Sequence, residues 1–322
     1  MDWTTKVGVD SPDVFIDYRS KLLLLGSCFA ESMGERFVYH KFQVDINPFG
    51  IVYNPFSMAH VLESILTGKR VDKEELLEVN GQWVSLHHHG RFSDPNQQAC
   101  LDKINGRLER AAKELPHLDF LVMTWGTAWV YKHISQDVIV SNCHKIPDRE
   151  FKRFRLDVGD IVNRYLPLFR ELRRINPELR ILFTVSPIRH WRDGAHENQL
   201  SKAILLLAVE QLQHHVDRLF YFPAYEIVLD ELRDYRFYAS DMLHMADATV
   251  EYIWEQFSAH YISPEAIRLM QRIGNLRKGM EHRPFHAQSA EYKRHIEKIH
   301  AEMDEITRQF PTISFNQETL IS

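Results

Sequence analysis

Five short apolar runs are spread along the chain, and segments of helical periodicity separate them. The runs cover residues 22–25, 44–46, 120–123, 181–185 and 219–222. Short buried strands that alternate with helices are typical of βαβ units, in which the strands run parallel within one sheet. The pattern therefore predicts an α/β fold with a central parallel sheet.

The segments between the runs carry helix signals. Residues 158–175 show the clearest periodicity, because their apolar side chains share one helical face (Ile161, Tyr165, Leu168 and Leu172). Gly68 is a stop signal for a helix over residues 57–66. Further helices are predicted over residues 31–39 and 197–215.

Two other parts of the chain depart from this alternation. Residues 71–118 are irregular and include "SLHHHGRFSDPNQQ", which predicts a loop-rich insertion. From residue 263 onward the sequence is charged, helical in pattern and almost free of strand signals. We therefore expect an α/β domain over residues 1–262 and a helical C-terminal extension over residues 263–322.

Composition narrows the function classes. The 322-residue chain has a formal net charge of −5, so a basic surface for nucleic acid is not expected. Its three cysteines (Cys28, Cys100 and Cys143) are widely spaced, which indicates neither a disulfide framework nor a zinc motif and fits a reducing compartment. The N-terminal residues lack a secretory signal pattern, and no apolar stretch is long enough to span a bilayer. We expect a soluble, cytoplasmic protein without nucleic-acid or membrane partners.

Each predicted strand is followed by residues suited to binding or chemistry. The first four strands lead into "GSC", "NPFGIVYNP", "WGTAWVY" and "SPIRHWRDG", and the fifth leads into "PAYEIVLDELRDYRFYASDMLHM". In an open parallel sheet, ligands bind beyond the carboxyl ends of the strands. The sequence therefore predicts a functional site at this edge of the sheet.

Three residues from opposite ends of the chain form an ordered set. Ser27 follows the first strand at a turn into a helix, and Asp241 and His244 follow the last strand. An aspartate three residues before a histidine can orient its imidazole, which then acts as general base toward a serine from a distant loop. The Ser27 amide, at a helix N-terminus, can donate to the oxyanion that forms during acyl transfer. This set predicts a Ser-His-Asp site.

Several motifs together resemble the bacterial GSCFA family. They are "LLGSCFAESMGERF", "NPFGIVYNPFSM", "WGTAWVY", "SNCHKIP", "VSPIRHWRDG", "SDMLHM" and, in the extension, "HRPF". The resemblance covers nearly the whole chain. Because GSCFA proteins are similar to the SGNH (GDSL-like) hydrolase superfamily, it implies a three-layer α/β fold of the SGNH type.

The resemblance also implies roles for individual residues. By analogy with SGNH hydrolases, Ser27 stands at the nucleophile position, and Asp241 and His244 stand at the closing Asp-x-x-His motif. Gly50 matches the glycine whose backbone amide helps to form the oxyanion hole. Catalysis of this kind requires no cofactor and no metal.

One block of the superfamily pattern is missing. Where SGNH hydrolases carry Gly-x-Asn-Asp, this chain has "GTAW" over residues 126–129. Either Thr127 or a backbone amide replaces the oxyanion asparagine, or an asparagine comes from elsewhere in the chain. The candidates are Asn47, Asn54 and Asn142.

Other chemically able residues have competing interpretations. Cys28 is a rival nucleophile, which we rank lower because its side chain would begin a helix and turn toward the sheet. Adjacent residues of an extended chain point to opposite sides, so the run of His87, His88 and His89 can offer at most two ligands to one ion. With no matching acidic or cysteine cluster, we expect this run to be solvated or to support its neighbours.

Near the fourth strand, several side chains allow both a binding and a structural role. Arg189 can bind a substrate carboxylate or phosphate, or pair with Asp193 or Glu197. His190, like His144, is either a substrate contact or a hydrogen-bonded structural histidine.

Lys202 lies four residues after Asn198 on one face of the following helix. It therefore either points back toward the site or pairs with surface charge.

The sequence thus predicts a serine hydrolase that cleaves a small acyl ester through an acyl-enzyme. An acetyl group on a carbohydrate or another polar alcohol is the expected substrate class. Two alternatives remain open at this point: an O-acyltransferase that uses the same serine, and a non-catalytic small-molecule or glycan-binding protein on the same scaffold.

Overall fold

A computed structural model of the chain describes residues 4–281 and 290–315. The strands are β1 Lys21–Gly26, β2 Gln43–Ile46, β3 Leu77–Val79, β4 Gln82–Val84, β5 Phe120–Trp125, β6 Trp129–His133, β7 Val138–Val140, β8 Phe151–Arg155, β9 Arg180–Val185 and β10 Leu219–Tyr221. The helices are α1 Cys28–Tyr39, α2 Pro55–Thr67, α3 Gln97–Glu114, α4 Val158–Ile175, α5 Gly194–His215, α6 Ala224–Glu226, α7 Asp247–Tyr261, α8 Pro264–Glu281 and α9 Ala290–Gln309. Each of the five strands predicted from apolar runs is present.

Those five strands form one parallel sheet in the order β10-β9-β5-β1-β2. The chain moves outward from β1 to β2 on one side and then crosses to β5 on the other side. The order therefore reverses beside β1, and crevices for ligands open at such a reversal, beyond the carboxyl ends of the strands. In this protein the reversal lies between the ends of β1 and β5.

Side-chain alternation along β1 builds two hydrophobic layers. Leu23 and Leu25 belong to a core that includes residues of α2, α3, α4 and α5. Leu22 and Leu24 belong to a second core that includes residues of α1, α7, α8 and α9. Because successive strand residues point to opposite faces, helices cover both faces of the sheet. The expected three-layer α/β fold is confirmed.

The segment 71–118 is more regular than the sequence analysis expected. It contains the hairpin β3–β4 and the 18-residue helix α3. Asn96 caps α3 by accepting a hydrogen bond from the Ala99 amide, and the helix buries Cys100, Ile104 and Leu108. The prediction of a loop-rich insertion is wrong because this spacing of buried residues follows the helical period.

A second sheet of three antiparallel strands, β7-β6-β8, follows the central strand β5. The sequence analysis missed it. Its pairing sets Trp129 opposite Arg155 and Tyr131 opposite Arg153, and the Arg153 guanidinium lies 4.2 Å from the centre of the Trp129 ring. Such stacking suits arginine beside aromatic rings.

Two ion pairs attach this small sheet to the beginning of α5. Arg153 pairs with Asp193, and Arg155 pairs with Glu197. The sequence analysis considered Asp193 and Glu197 as partners of Arg189. The structure corrects this, because both carboxylates pair with other arginines.

The described part of the C-terminal extension packs on the main domain. Leu269 and Ile273 of α8 and Ile306 of α9 share the core that contains Phe37 of α1. The chain boundary near residue 263 therefore does not divide the hydrophobic core. The "HRPF" motif lies outside the described residues.

No helix within residues 4–281 and 290–315 combines the length and apolar character that crossing a membrane would require.

Two histidines of the run, His87 and His88, lie in a cluster with His60 of α2, whereas His89 is exposed. The His87 ring stacks on His60 of α2, with 3.8 Å between the ring centres. His88 is 1% exposed, and its Nδ1 lies 2.8 Å from Ser85 Oγ. Burial lowers the pKa of His60 to about 3 and that of His87 to about 4, and it lowers the pKa of His88 well below the ordinary 6.5. All three rings are therefore held neutral in the folded protein.

This cluster predicts a loss of stability in mild acid. Below pH 6.5 the unfolded chain binds protons at these histidines while the folded chain does not, so the free energy of unfolding falls as the pH drops toward 4. Each ring contributes up to about 1.4 kcal/mol per pH unit in this window. Urea denaturation between pH 8 and pH 4.5 measures the slope.

The variant His87→Phe keeps an aromatic ring against His60 but cannot take up a proton, so its slope should be shallower. His117→Gln, at an exposed position, is the control and should keep the slope of the unmodified protein. Equal slopes in all three proteins would contradict the assignment.

Candidate active site

Ser27 lies at the turn between β1 and α1. It is the N-cap residue of α1, with φ −75° and ψ −175°, and the helix begins at Cys28 rather than at residue 31 as predicted. Ser27 is 2% exposed, and its Oγ has no hydrogen-bond partner among the described residues. An unpaired hydroxyl in a buried position is costly, so this side chain requires an explanation beyond capping.

The residue before Ser27 explains how the serine is held. A Cβ atom on Gly26 would lie 2.7 Å from both Cβ and the carbonyl oxygen of Thr124 on β5. Only glycine allows β1 and β5 to approach this closely. Ser27 therefore lies at the reversal of strand order, where the crevice opens.

Asp241 and His244 form the predicted pair. His244 Nδ1 lies 2.6 Å from Asp241 Oδ2, and Asp241 Oδ1 accepts hydrogen bonds from the Leu243 and His244 amides at 2.9 Å each. The hydrogen bond to His244, followed by those two amides, lowers the pKa of Asp241 to about 2. The carboxylate therefore stays ionised and fixes the orientation of the imidazole.

Ser27 and His244 line the same cleft, which has a volume of about 590 Å³. No hydrogen bond joins the Ser27 hydroxyl to the His244 imidazole in the described structure. The imidazole side chain is 54% exposed, and that of Asp241 is 46% exposed. The two halves of the predicted site therefore meet at one cleft without a hydrogen bond between them.

Arg189 holds the loop that carries the pair. Its guanidinium donates a hydrogen bond to the carbonyl oxygen of Met242, which lies between Asp241 and His244. Three aromatic rings surround it at 4.9, 5.3 and 4.5 Å from their centres, namely Trp191, Tyr235 and Tyr238. Although Arg189 lines the cleft, this donor is already committed to the loop rather than to a substrate.

His190 lines the same cleft and is a second candidate base. Its backbone amide donates to Asn198 Oδ1 at 3.0 Å, and its ring meets the Tyr53 ring edge-on. Burial, and then the nearby charge of Lys202, lowers the pKa of His190 to about 3. The ring is therefore neutral at ordinary pH and a weak proton acceptor.

Two of the predicted oxyanion donors are already occupied. The Gly50 amide donates to the Asn47 carbonyl oxygen at 2.8 Å, and Gly50 is absent from the described lining of the cleft. The glycine is required there for another reason: a Cβ atom would collide with Cβ of His89. The Thr127 amide donates to the Tyr53 carbonyl oxygen at 3.1 Å. The assignment of free donors at Gly50 and Thr127 is therefore corrected.

The Thr127 side chain is occupied as well. Its Oγ1 lies 3.2 Å from Ser201 Oγ and accepts the Trp129 amide at 3.1 Å. Thr127 lines the cleft, but these contacts fix the loop after β5.

The candidate asparagines differ in how they are used. Asn47 is fully buried, and its Oδ1 accepts the Gly26 amide at 2.8 Å. Asn54 caps α2, and its Nδ2 donates to Ser57 Oγ at 3.0 Å. Asn142 lines the cleft, and its Oδ1 accepts the His144 amide at 3.0 Å. Of these three carboxamides, only that of Asn142 has an NH₂ group with no described acceptor.

His144 lies outside the described lining of the cleft. Its Nε2 is 2.8 Å from the Ser85 carbonyl oxygen. Of its two open interpretations, this contact supports the structural one.

Comparison with known families agrees with the resemblance in the sequence. The model of the GSCFA family matches residues 21–257, and the model of the GSCFA domain protein, C-terminal domain, matches residues 273–321. The chain belongs to the GSCFA family. A comparison with curated proteins finds no match.

Two solved structures are similar to this GSCFA protein at low identity. One is a carbohydrate esterase family 3 protein from Talaromyces cellulolyticus, at 10% identity and a TM-score of 0.34, with 78% of this chain and 98% of that chain covered. The other is an acetyl xylan esterase from the rumen bacterium Butyrivibrio proteoclasticus, at 9% identity and a TM-score of 0.38, with 75% of this chain and 64% of that chain covered. At these scores the likeness carries no functional argument.

The sequence analysis missed one wall of the cleft in this GSCFA protein. Trp129 and Tyr131 of β6 and Arg153 of β8 line it. The signal was present, because large side chains alternate with others in "WVY" and charged ones alternate in "RFR".

Thiol chemistry is not favoured at the site. Burial raises the pKa of the Cys28 thiol, which lines the cleft beside Ser27. A neutral thiol is a poor nucleophile. Within the described residues, no group of three or more His, Cys, Asp or Glu side chains is arranged to hold a metal ion.

Asn47 should support the site without binding substrate. Removing its side chain leaves the Gly26 amide without an acceptor, so Asn47→Ala should lower the free energy of unfolding by about 1–3 kcal/mol. Since Asn47 has φ +45°, Asn47→Gly separates backbone strain from the lost hydrogen bond, because glycine accepts this φ. Chemical denaturation measures both variants.

The loss shared by the two variants is the contribution of the carboxamide. Asn163→Ala, at an exposed helix position, is the control and should leave stability nearly unchanged. Full stability in Asn47→Gly would show that the side chain contributes nothing.

Proposed function

We propose that this GSCFA protein is a serine hydrolase that cleaves a small acyl ester through an acyl-enzyme. Ser27 Oγ attacks the ester carbonyl carbon while His244 Nε2 takes the hydroxyl proton. The tetrahedral oxyanion then collapses, and the alcohol leaves with the proton held by His244. Water, activated by the same imidazole, hydrolyses the acyl group from Ser27. Asp241 orients His244 throughout.

One observation carries this proposal. Ser27 Oγ is buried without a described partner at the reversal of strand order, and it lines the same cleft as a histidine whose Nδ1 contacts an aspartate. The Ser27 hydroxyl is therefore available for nucleophilic attack. Without substrate, the hydrogen bond between nucleophile and base is often long or unformed, which is compatible with the separation of Ser27 and His244.

His244 is preferred to His190 as the base. Proton transfer is most effective when the pKa of the base lies near the working pH. The low pKa of His190, about 3, leaves it unable to hold a proton during the reaction. Among the described residues, no carboxylate forms a hydrogen bond with the His190 ring, whereas His244 has Asp241 at 2.6 Å.

The oxyanion is assigned to two donors. The Ser27 amide stands at the N-terminus of α1, where N–H groups lack helical acceptors and favour negative charge. The NH₂ group of Asn142 is the second, because the cleft wall carries it without a described acceptor. It takes the part of the asparagine that is absent from residues 126–129.

The lining of the cleft favours a polar alcohol as the leaving group. Aromatic faces are offered by Tyr53 and Trp191, which are 40% and 46% exposed. Arg192, whose exposed side chain pairs with Asp148, adds a polar group at this wall. Flat aromatic faces beside polar groups suit a carbohydrate or a similar polyol, with acetyl as the acyl group.

The test compares two neighbouring nucleophiles. Ser27→Ala should abolish covalent labelling by a fluorophosphonate and lower turnover of an aryl acetate by roughly 10⁴-fold or more. Cys28→Ala, the matched control one residue away, should keep most of both activities. Labelling is followed by mass spectrometry of the modified peptide, and turnover by release of the phenol.

The reverse pattern would move the nucleophile to Cys28. Absence of labelling and turnover in the unmodified protein would favour a binding protein instead.

A second experiment examines the oxyanion assignment. Asn142→Ala should lower kcat for the aryl acetate by about 10²- to 10³-fold with little change in KM, since the donor acts on charge that develops in the transition state. Asn54→Ala is the comparison, because that carboxamide is committed to α2. A rise in KM without loss of kcat would make Asn142 a substrate contact and refute its role at the oxyanion.

A further inference from the structure

Lys202 of α5 is buried without a counter-ion. It is 1% exposed, and its ammonium group donates to the carbonyl oxygens of Gly126 at 2.6 Å and Ser186 at 2.7 Å. No Asp or Glu in the described part of the chain pairs with it. Burial lowers the pKa of Lys202 to about 7. Of the two interpretations from the sequence, a surface charge is therefore wrong, and a side chain that points back toward the site agrees with these contacts.

The two carbonyl groups belong to neighbouring strand ends. Gly126 follows β5, and Ser186 follows β9. These strands pair in parallel, and the Ser186 amide continues the ladder by donating to the Trp125 carbonyl oxygen at 2.8 Å. One ammonium group thus joins the strand ends beside the end of β1, where Ser27 lies.

Both loops that leave these strand ends line the cleft. Gly126 leads directly to Thr127, and Ser186 leads to Arg189 and His190. The loops touch one another, because a Cβ atom on Gly126 would lie 3.1 Å from His190 Nε2.

Arg189 extends this connection to the base. Its hydrogen bond to the Met242 carbonyl oxygen ties the loop after β9 to the loop of His244. A displacement of Ser186 would therefore be passed through Arg189 to the imidazole.

We propose that Lys202 is a positioning residue of the candidate active site: it joins the strand ends at Gly126 and Ser186 and thereby sets the spacing between Ser27 and His244. This inference rests on the proposed function for its catalytic consequence. The placement of the loops by Lys202 is independent of that function.

Lysine suits this position for a physical reason. A lysine amine carries several N–H donors on one nitrogen, so a single group reaches both acceptors. Burying this amine without a counter-ion costs free energy that an apolar residue of similar size would not. The positioning of the two loops explains why a lysine occupies this buried position.

The test uses two replacements of Lys202. Lys202→Met has a similar length but no donor. Lys202→Gln offers two neutral N–H donors from a slightly shorter side chain. Lys113→Met, on the exposed end of α3, is the matched control for loss of a lysine.

Hydrogen exchange followed by mass spectrometry provides a readout that needs no activity. In Lys202→Met, peptides covering residues 126–129 and 186–190 should exchange at least about tenfold faster, while a peptide covering β2 keeps its rate. Lys202→Gln should recover part of the protection. Unchanged exchange in both loops would overturn the proposal, whether or not the protein is an enzyme.

Kinetics then separate positioning from simple stability. With the aryl acetate, Lys202→Met should lose at least about tenfold in kcat with KM nearly unchanged, at a temperature well below its melting midpoint. Recovery of kcat in Lys202→Gln supports positioning. Full kcat in a folded Lys202→Met protein would reduce Lys202 to a structural residue and overturn the inference.

The two proposals fail in different ways. If the unmodified protein neither hydrolyses the ester nor takes up the fluorophosphonate, the hydrolase assignment fails, and the exchange data alone decide the role of Lys202.

Discussion

The close approach of β1 and β5 at Gly26 is the constraint on which the rest of the site depends. Thr124 leaves no room for a side chain at Gly26, and Asn47 holds the Gly26 amide from the opposite side. The chain can then turn directly into α1, which leaves Ser27 covered, with its hydroxyl unpaired and its amide at the start of a helix. Backbone packing thus places the proposed nucleophile independently of the other residues of the candidate site.

The remaining groups reach Ser27 through two kinds of attachment. The loops after β5 and β9 are fixed to the sheet by backbone hydrogen bonds and by Lys202. The loop of Asp241 and His244 is held by its own turn and by Arg189. The proposed nucleophile therefore lies at the end of a central strand, whereas the proposed base lies on a loop held by its own backbone hydrogen bonds and by side-chain contacts.

The sequence was sufficient to predict the central sheet and the contact between Asp241 and His244. Apolar runs identify buried strands because both faces of a parallel sheet are covered, and a short Asp-x-x-His spacing permits a local contact. The strands β6 and β8 were not predicted because their partly exposed residues show no continuous apolar run.

The proposed oxyanion donors could not be identified from the sequence, because loop conformation decides which backbone amides are free. The amides of Gly50 and Thr127 form hydrogen bonds within the protein. Pattern alone also gave no indication that Arg189 would contact Met242, since the two come from segments that meet only in the fold.

The small sheet β7-β6-β8 forms a wall of the cleft that is separate from the central sheet. Its strands hydrogen-bond to one another rather than to the central sheet, and arginine–carboxylate pairs attach it to the start of α5. It supplies Trp129 and Tyr131 to the cleft, but none of the groups proposed to react. Substitutions on this sheet can therefore change which molecules enter the cleft while Ser27, Asp241 and His244 stay in place. If the proposed function holds, the range of substrates can thus change while the reacting groups are kept.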